Sequence, residues 1–258
     1  MSELKIFIGY DDREKTAYEV CKYSIEKHTK SNVKIIPLYH RELRRQGFFQ
    51  RPWLTQGHDG NRMDLIDGKP FSTEFSHTRF LIPELTGFSG WALFMDCDML
   101  VRCDIKDVFD LIDNKYAAMC VQHRMNVKSG LKMNGTPQQS YSRKNWSSFI
   151  LFNCGHTSNA VLKKEIVNTA TGGWLHGLSW LRDSEIGDLP KEYNWINGTS
   201  PGNIHPKVIH YSEGGPWEVD YQECAFADEW YRYFTALNDE DLPMPADSLK
   251  TINYGLLR

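Results

Sequence analysis

The sequence predicts an α/β fold in which short buried strands alternate with helices. Short apolar runs recur along the chain, and helix-like stretches separate most of them. The chain has 258 residues, of which 41% are hydrophobic, so it can bury one large core. We therefore expect a single domain over residues 1–258. The apolar runs are Lys5–Gly9, Val33–Leu38, Trp91–Met95, Ala117–Val121, Phe149–Phe152 and Val208–Ile209.

The first helix is expected to begin with Asp12 as its N-cap, because a short carboxylate side chain can accept the free backbone amides of a helix start. Its apolar face would carry Ala17, Cys21, Ile25 and His28 at helical spacing. Two other stretches, 44–69 and 126–145, have little periodicity and many turn-forming residues. The sequence predicts that both are loops.

An aromatic-rich segment runs from Gly172 to the C-terminus, and we expect it to form an irregular annex. Aromatic rings offer a flat apolar surface with a polar edge, which suits sugars and bases as well as a protein core. For any single ring, burial in the core is the expected outcome. The rings concerned are Trp174, Trp180, Tyr193, Trp195, Tyr211 and Trp217.

The charge balance and the cysteines limit the protein's surroundings. Thirty basic and 33 acidic residues give a net charge of -3, so composition does not favour binding to nucleic acid. The six cysteines form no CxxC pair, which is typical of a reduced, cytoplasmic protein. The N-terminus leads directly into a strand-like run without a secretion signal, and no apolar stretch approaches the roughly 20 residues of a membrane-spanning helix. We expect a cytoplasmic protein without a transmembrane segment.

The segment Asp96-Cys97-Asp98 ends an apolar run with two carboxylates that are two residues apart. In extended geometry both carboxylates point the same way, at the strand end where open α/β sheets bind ligands. A divalent cation is a natural means of holding two carboxylates beside a diphosphate. The alternative is that both residues only cap the turn before a helix-like stretch at Lys106–Ile112.

His210 follows another apolar run and precedes Gly214-Gly215. A neutral imidazole can give a metal a nitrogen ligand, and adjacent glycines let backbone amides approach phosphate oxygens. Two carboxylates, one imidazole and a diphosphate favour Mn²⁺, with Mg²⁺ as a second choice. Alternatively, His210 is a hydrogen-bonded core histidine and the glycines only form a turn.

Arg79 lies within Phe71–Pro83, where helical spacing places Phe75, Thr78 and Ile82 on one face. An arginine beside a buried stripe needs an anionic partner. A structural carboxylate and the phosphates of a ligand fit this need equally well. At the end of the first run, Gly9-Tyr10-Asp11-Asp12-Arg13 offers a ring and carboxylates suited to a base and a ribose.

In this order, these segments resemble glycosyltransferase family eight and its relatives with the GT-A fold, across roughly Lys5 to Trp217. The matching segments are Gly9-Tyr10-Asp11-Asp12, Thr78-Arg79-Phe80-Leu81-Ile82-Pro83, Asp96-Cys97-Asp98 and His210 to Trp217. The resemblance implies a GT-A, Rossmann-like domain with a mixed central sheet. It also implies a retaining, Mn²⁺-dependent hexosyltransferase that uses a nucleotide-sugar donor, commonly a UDP-sugar.

The resemblance also divides the chain and assigns roles to residues. It implies a nucleotide-binding half at 1–125, and an acceptor-binding half with the annex at 126–258. The expected metal ligands are Asp96, Asp98 and His210, and Asp183 or Glu185 would orient the sugar or assist proton transfer. The residues expected to bind the nucleotide sugar are Gly9, Tyr10, Asp11, Arg13, Arg79, Asp96, Cys97, Gly214 and Gly215.

The sequence departs from the family pattern at three places. Gly215 stands where the family usually has a lysine before Pro-Trp, and Trp146-Ser147-Ser148 replaces Asn-Ser-Gly. The family's Asp-Gln-Asp has a loose counterpart in Asp183-Ser184-Glu185. These departures concern the diphosphate and the sugar and acceptor contacts, and the sequence identifies neither the sugar nor the acceptor.

Two other functions fit parts of the pattern. A sugar-phosphate nucleotidyltransferase would use the same metal and nucleotide elements, but it normally has a glycine-rich basic loop after the first strand, where this chain has only Gly9. A non-catalytic glycan-binding module would account for the 13% aromatic content.

Overall fold

The computed structural model describes residues 3–56, 61–123, 143, 145–239, 249 and 252–257. Its strands are β1 Leu4–Tyr10, β2 Val33–Tyr39, β3 Trp53–Gln56, β4 Asn61–Asp64, β5 Pro70–Phe71, β6 Trp91–Met95, β7 Met99–Val101, β8 Ala118–Cys120, β9 Phe149–Asn153, β10 Ile186–Asp188, β11 Trp195–Ile196 and β12 Val208–His210. Its α-helices are α1 Lys15–His28, α2 His40–Arg45, α3 Ile82–Leu85, α4 Lys106–Phe109, α5 Lys164–Val167, α6 Gly172–His176 and α7 Ala227–Asp239. Each of the six predicted apolar runs contains or overlaps a strand.

The central sheet has six strands in the order β10-β8-β9-β6-β1-β2. Within it, β9 runs antiparallel to β6 and to β8, whereas the pairs β1–β2, β1–β6 and β8–β10 are parallel. The sheet is therefore mixed, and the prediction of an α/β, Rossmann-like fold is confirmed. The parallel strands all end at one edge, the carboxyl edge, where β6 leads into Asp96.

A second sheet, ordered β11-β12-β7, supports the C-terminal annex. Behind it lies a separate apolar cluster that includes Trp195, Tyr211 and Trp230. The rings of Trp217 and Trp230 lie 5.5 Å apart, and that of Tyr211 meets Trp217 edge-on at 5.9 Å. Tyr211 and Trp195 are buried, as expected, whereas Trp217 is partly buried. Within the described part of the chain, no helix has the length and apolar character needed to cross a bilayer.

The first helix begins differently from the prediction. A 3-10 turn, Asp12–Glu14, precedes α1, and Asp11 is the N-cap of this turn, since its side chain accepts the backbone N–H of Arg13. The N-cap position of α1 itself is Glu14. Asp12 is instead exposed and pairs with Arg41. The predicted buried face is otherwise correct, since Ala17, Cys21 and Ile25 are buried, and the rest of α1 lies against β7 and α7.

The prediction of a loop over 44–69 is wrong, because β3 and β4 form a hairpin there that continues into β5. The inward positions of β4 are polar: Arg62 and Asp64 are buried at 6% and 1% exposure. In contrast, Leu54 of β3 and Leu65, which directly follows β4, are about half exposed. This alternation is the inverse of the usual one, so hydrophobic periodicity does not reveal the strands.

The helix predicted within Phe71–Pro83 is shorter than expected. A 3-10 turn over Thr78–Leu81 continues into α3, and the residues before it form turns. Phe75 and Ile82 are nevertheless buried, as the spacing predicts. The predicted helical stretch at Lys106–Ile112 ends early, at Phe109. Apart from residues 143 and 145, the loop predicted at 126–145 lies outside the described residues.

Candidate metal site at the carboxyl edge of the sheet

Three predicted ligands come together beyond β6. One ligand atom from each of Asp96, Asp98 and His210 lies within 4.8 Å of the other two. His210 is buried at 2% exposure, while the two carboxylates remain partly accessible. The cluster is therefore open on its carboxylate side, and its members come from both halves of the chain.

Strand pairing fixes the distance between the carboxylates and the histidine. β7 pairs antiparallel with β12 in a register that places Met99 opposite His210. The Tyr211 amide donates to the Asp98 carbonyl at 2.9 Å, and the Asp96 amide donates to the Ser148 carbonyl at 2.9 Å. Backbone hydrogen bonds therefore hold the segment that carries both aspartates on two sides.

Asp98 and His210 form an ion pair. The Nε2 atom of His210 lies 3.4 Å from Oδ1 of Asp98, which is longer than a charge-assisted hydrogen bond. Burial opposes charge on both groups, but the imidazole holds the pKa of Asp98 below its ordinary value and the carboxylate raises the pKa of His210. Each of the two groups thus favours the charged form of the other.

Arg79 pairs with the cluster itself. Its Nη1 atom lies 2.8 Å from Oδ1 of Asp96 and donates to the Ser147 carbonyl at 2.7 Å. The guanidinium lies over the rings of Phe94 and Phe75, at 4.5 and 5.4 Å from their centroids. The sequence left open whether Arg79 pairs with a carboxylate of the protein or with the phosphates of a ligand. In this structure it pairs with the carboxylate of Asp96, a member of the cluster.

A further carboxyl group, Glu14, lies beside the cluster and was missed by the sequence reasoning. The Cys97 thiol donates to Oε2 of Glu14 at 3.0 Å. Burial, together with the charge of Asp98, raises the pKa of Glu14 to about 8. No strand-end pattern marks Glu14, because it lies in the 3-10 turn that precedes α1.

The predicted nucleotide-binding residues at the end of β1 have roles within the fold. Tyr10 is 2% exposed and meets Tyr18 and Tyr39 edge-on, which leaves little ring surface for a base. Asp11 is fully buried, and its carboxylate accepts from Arg13 at 3.0 Å. Arg62 of β4 also pairs with this carboxylate at 3.4 Å.

Glycines at 9, 214 and 215 make room for aromatic rings. A Cβ atom on Gly9 would lie 2.3 Å from the ring of Phe75, which in turn packs against Arg79. A Cβ on Gly215 would lie 2.1 Å from the ring of Trp217. Gly214 has φ +142° and would meet the ring of Tyr221 at 2.7 Å. These contacts account for the glycines without a phosphate.

Asp183 and Glu185 are not brought to the cluster. The Ala117 amide donates to the Glu185 carbonyl, and the Ala117 carbonyl accepts the Asn153 amide. Asn153 is paired in turn with Trp91, the first residue of β6, so Glu185 is at the level where β6 begins. Glu185 therefore lies at the amino edge, roughly 16 Å along the strands from Asp96 at about 3.3 Å per residue.

Local partners engage both acidic side chains. The Asp183 side chain is 90% exposed and pairs with Arg143. Glu185 accepts from Ser158 at 2.5 Å and from the Arg182 amide, and these bonds lower its pKa to about 2. Their catalytic role stays a prediction, whereas the hydrogen bonds give Glu185 a structural role.

Three polar residues that the sequence reasoning missed lie near the cluster or the residues that support it. Asn194 is fully buried and contacts His210, and His176 bonds through Nδ1 to the Ser147 hydroxyl at 2.8 Å. His123 follows β8, and burial together with the charge of His210 lowers its pKa to about 4. Neither the apolar runs nor the motifs of the sequence mark these residues.

Several solved glycosyltransferase structures have a similar fold. The bifunctional glycosyltransferase WbbM matches with a TM-score of 0.61 and 18% identity, over 92% of this chain and 51% of that one. GlyE of Streptococcus pneumoniae TIGR4 matches at 0.57 and 17%, over 95% and 66%. The galactosyltransferase LgtC matches at 0.58 and 12%, over 95% and 100%. The chain thus spans about half of WbbM and two thirds of GlyE, and its fold is the GT-A fold of glycosyltransferases.

A curated relative defines the family more narrowly. Protein CDI of Arabidopsis thaliana is 44% identical over 242 residues, which cover 92% of this chain and 88% of that protein. The chain belongs to the family of protein CDI. No protein-family model matches the sequence.

Proposed function

We propose that the protein is a glycosyltransferase that takes a hexose from a nucleotide-diphosphate sugar in a Mn²⁺-dependent reaction. The observation that carries the proposal is the cluster of Asp96, Asp98 and His210 at the carboxyl edge of a GT-A sheet. A UDP-sugar donor and retention of configuration are part of the proposal, on the resemblance to glycosyltransferase family eight. LgtC was crystallised with donor and acceptor sugar analogues, which fits the same proposal.

The residues of the cluster suit a divalent cation. Oδ1 of Asp98 is buried and makes no hydrogen bond among the described residues. Its ion-pair partner, Nε2 of His210, lies 3.4 Å away. Carboxylate oxygens suit Mn²⁺ and Mg²⁺, and the imidazole nitrogen favours Mn²⁺ of the two. A bound cation would neutralise the charge that develops on the leaving diphosphate.

The chain's own residues supply the surrounding charge. Arg79 pairs with Asp96 at 2.8 Å, and its guanidinium is held between the Ser147 carbonyl and two aromatic rings. This packing keeps it at the carboxyl edge, where it can neutralise either Asp96 or a phosphate. Gly215 stands where the family pattern has a lysine. Arg79 is therefore our candidate for the side chain that supplies positive charge to the donor diphosphate.

A thermal-shift panel of nucleotides and nucleotide sugars, with and without Mn²⁺, tests donor and metal together. A ligand that binds only the folded state raises the melting temperature. We expect a shift that needs both Mn²⁺ and a nucleoside diphosphate, and slow Mn²⁺-dependent hydrolysis of the matching nucleotide sugar. Asp98→Asn should abolish both effects. Asp110→Asn, which makes the same change at an exposed residue directly after α4, should leave both unchanged.

The two alternative functions give different results. A nucleotidyltransferase would release pyrophosphate from a nucleoside triphosphate and a sugar phosphate. A glycan-binding module would bind sugar without Mn²⁺ and would retain this binding in Asp98→Asn. Either result, without hydrolysis of any nucleotide sugar, contradicts the proposal.

A further inference from the structure

A buried chain of polar groups connects His210 to the turn that precedes β9. Nδ1 of His210 lies 2.9 Å from Oδ1 of Asn194, and Nδ2 of Asn194 donates to the Ser148 hydroxyl at 2.9 Å. That hydroxyl donates to the Asn145 carbonyl at 2.8 Å. Asn194 is fully buried and Ser148 is 4% exposed, so water does not compete for these bonds.

The last acceptor of this series, the Asn145 carbonyl, determines the direction of each hydrogen bond. A carbonyl oxygen can only accept, so the single hydroxyl proton of Ser148 goes to Asn145. Ser148 must therefore accept from Asn194, which turns the amide NH₂ toward Ser148 and the amide oxygen toward the imidazole. An amide oxygen cannot donate, so Nδ1 of His210 must carry a hydrogen.

We propose that Asn194 is a positioning residue that fixes His210 in the Nδ1–H tautomer, so that the lone pair of the neutral ring lies on Nε2 and faces Asp98. Nε2 is the nitrogen 3.4 Å from that carboxylate. Buried hydrogen-bond partners of this kind orient metal-binding histidines and select the nitrogen that binds. The consequence for metal binding rests on the proposed function, whereas the tautomer does not.

The same residues tie the two parts of the cluster together. The Ser148 carbonyl accepts the Asp96 amide at 2.9 Å, while its hydroxyl accepts from Asn194. The backbone of Ser148 thus contacts the segment that carries Asp96. Its hydroxyl is linked to His210 through the side chain of Asn194. Loss of Asn194 would disconnect His210 from this link without removing a metal ligand.

Nitrogen chemical shifts of the imidazole rings, measured by NMR on the metal-free protein above the pKa of His210, test the tautomer directly. We expect the Nδ1–H form at His210 in the wild type, and a loss of this preference in Asn194→Ala. His156 is an internal control, because its Nδ1 accepts the Ser158 amide at 3.2 Å and it must take the opposite, Nε2–H form. An Nε2–H form at His210 in the wild type would overturn the inference, whether or not the protein binds Mn²⁺.

Calorimetry with Mn²⁺ measures the consequence. Asn194→Ala should weaken Mn²⁺ binding by about 10- to 100-fold, the usual effect of removing such a partner. Ser148→Ala, a smaller change, frees the amide to reverse and should weaken binding by less. Asn159→Ala is the matched control: it removes a fully buried asparagine that bonds to Ala117 and Asn153 near the amino edge.

The outcomes separate the two proposals. If Asn159→Ala weakens Mn²⁺ binding as much as Asn194→Ala does, the effect is general destabilisation and the positioning role is wrong. Unchanged Mn²⁺ affinity in Asn194→Ala also overturns it. If the wild type binds no Mn²⁺ but shows the Nδ1–H form, the proposed function fails while the tautomer assignment stands.

Discussion

Replacing Glu14 by glutamine should change how the stability of the metal-free protein depends on pH. Burial and the charge of Asp98 raise the pKa of Glu14 from 4.5 to about 8, so the folded state binds this proton more tightly than the unfolded state does. The stabilisation from the bound proton is complete below the unfolded pKa, and it is lost as the pH rises toward 8. Glu14→Gln keeps the shape of the side chain but cannot lose a proton.

The size of the effect follows from one proton per molecule. A full difference of one bound proton changes the free energy of unfolding by about 1.4 kcal/mol per pH unit. From about pH 5 to about pH 7, the wild type should therefore lose up to about 2 to 3 kcal/mol relative to Glu14→Gln, or about 5 to 10 °C in melting temperature.

Calorimetric unfolding in the presence of a chelator is the assay for this prediction. Glu165→Gln, on the exposed side of α5, should follow the wild type at each pH. Parallel curves for the wild type and Glu14→Gln would refute the reasoning, because they would mean that Glu14 titrates alike in both states.

Two further predictions concern the annex and the metal. Gly215→Ala should lower the free energy of unfolding by about 1 to 3 kcal/mol, as expected for overpacking, because its Cβ would lie 2.1 Å from the ring of Trp217. Denaturant unfolding measures this, and an equally large loss in Gly202→Ala, where nothing lies within 4 Å of the added Cβ, would contradict it. Mn²⁺ affinity should rise with pH up to the raised pKa of His210, because the cation must displace the proton on Nε2. Calorimetry across pH tests this, and a flat profile would remove His210 from the ligand set.

The central sheet could be predicted because its strands are continuous apolar runs. The run Trp91–Met95 matches β6 residue for residue, and the abrupt change to Asp96 marks the carboxyl edge. His210 could be placed near this edge because it too ends an apolar run. In both cases burial of a whole strand leaves a signal that needs no knowledge of the strand's neighbours.

Other features depend on pairing that a single sequence does not contain. The hairpin of β3 and β4 buries ion pairs, such as Arg51 with Asp64, and exposes leucines, so its pattern resembles that of a loop. The edge at which Glu185 lies is set by the register of β10 against β8. Asn194 is recognisable only through its contacts with His210 and Ser148.

The pairing of β7 with β12 has a consequence for the order of events during synthesis. β7 leaves the ribosome about a hundred residues before β12, and such distant segments pair late because closing a long loop costs entropy. Until β12 is made, Asp96 and Asp98 can stand at the edge of a formed sheet without their histidine. A growing chain therefore lacks the complete set of three ligands until β12 has been made and has paired with β7.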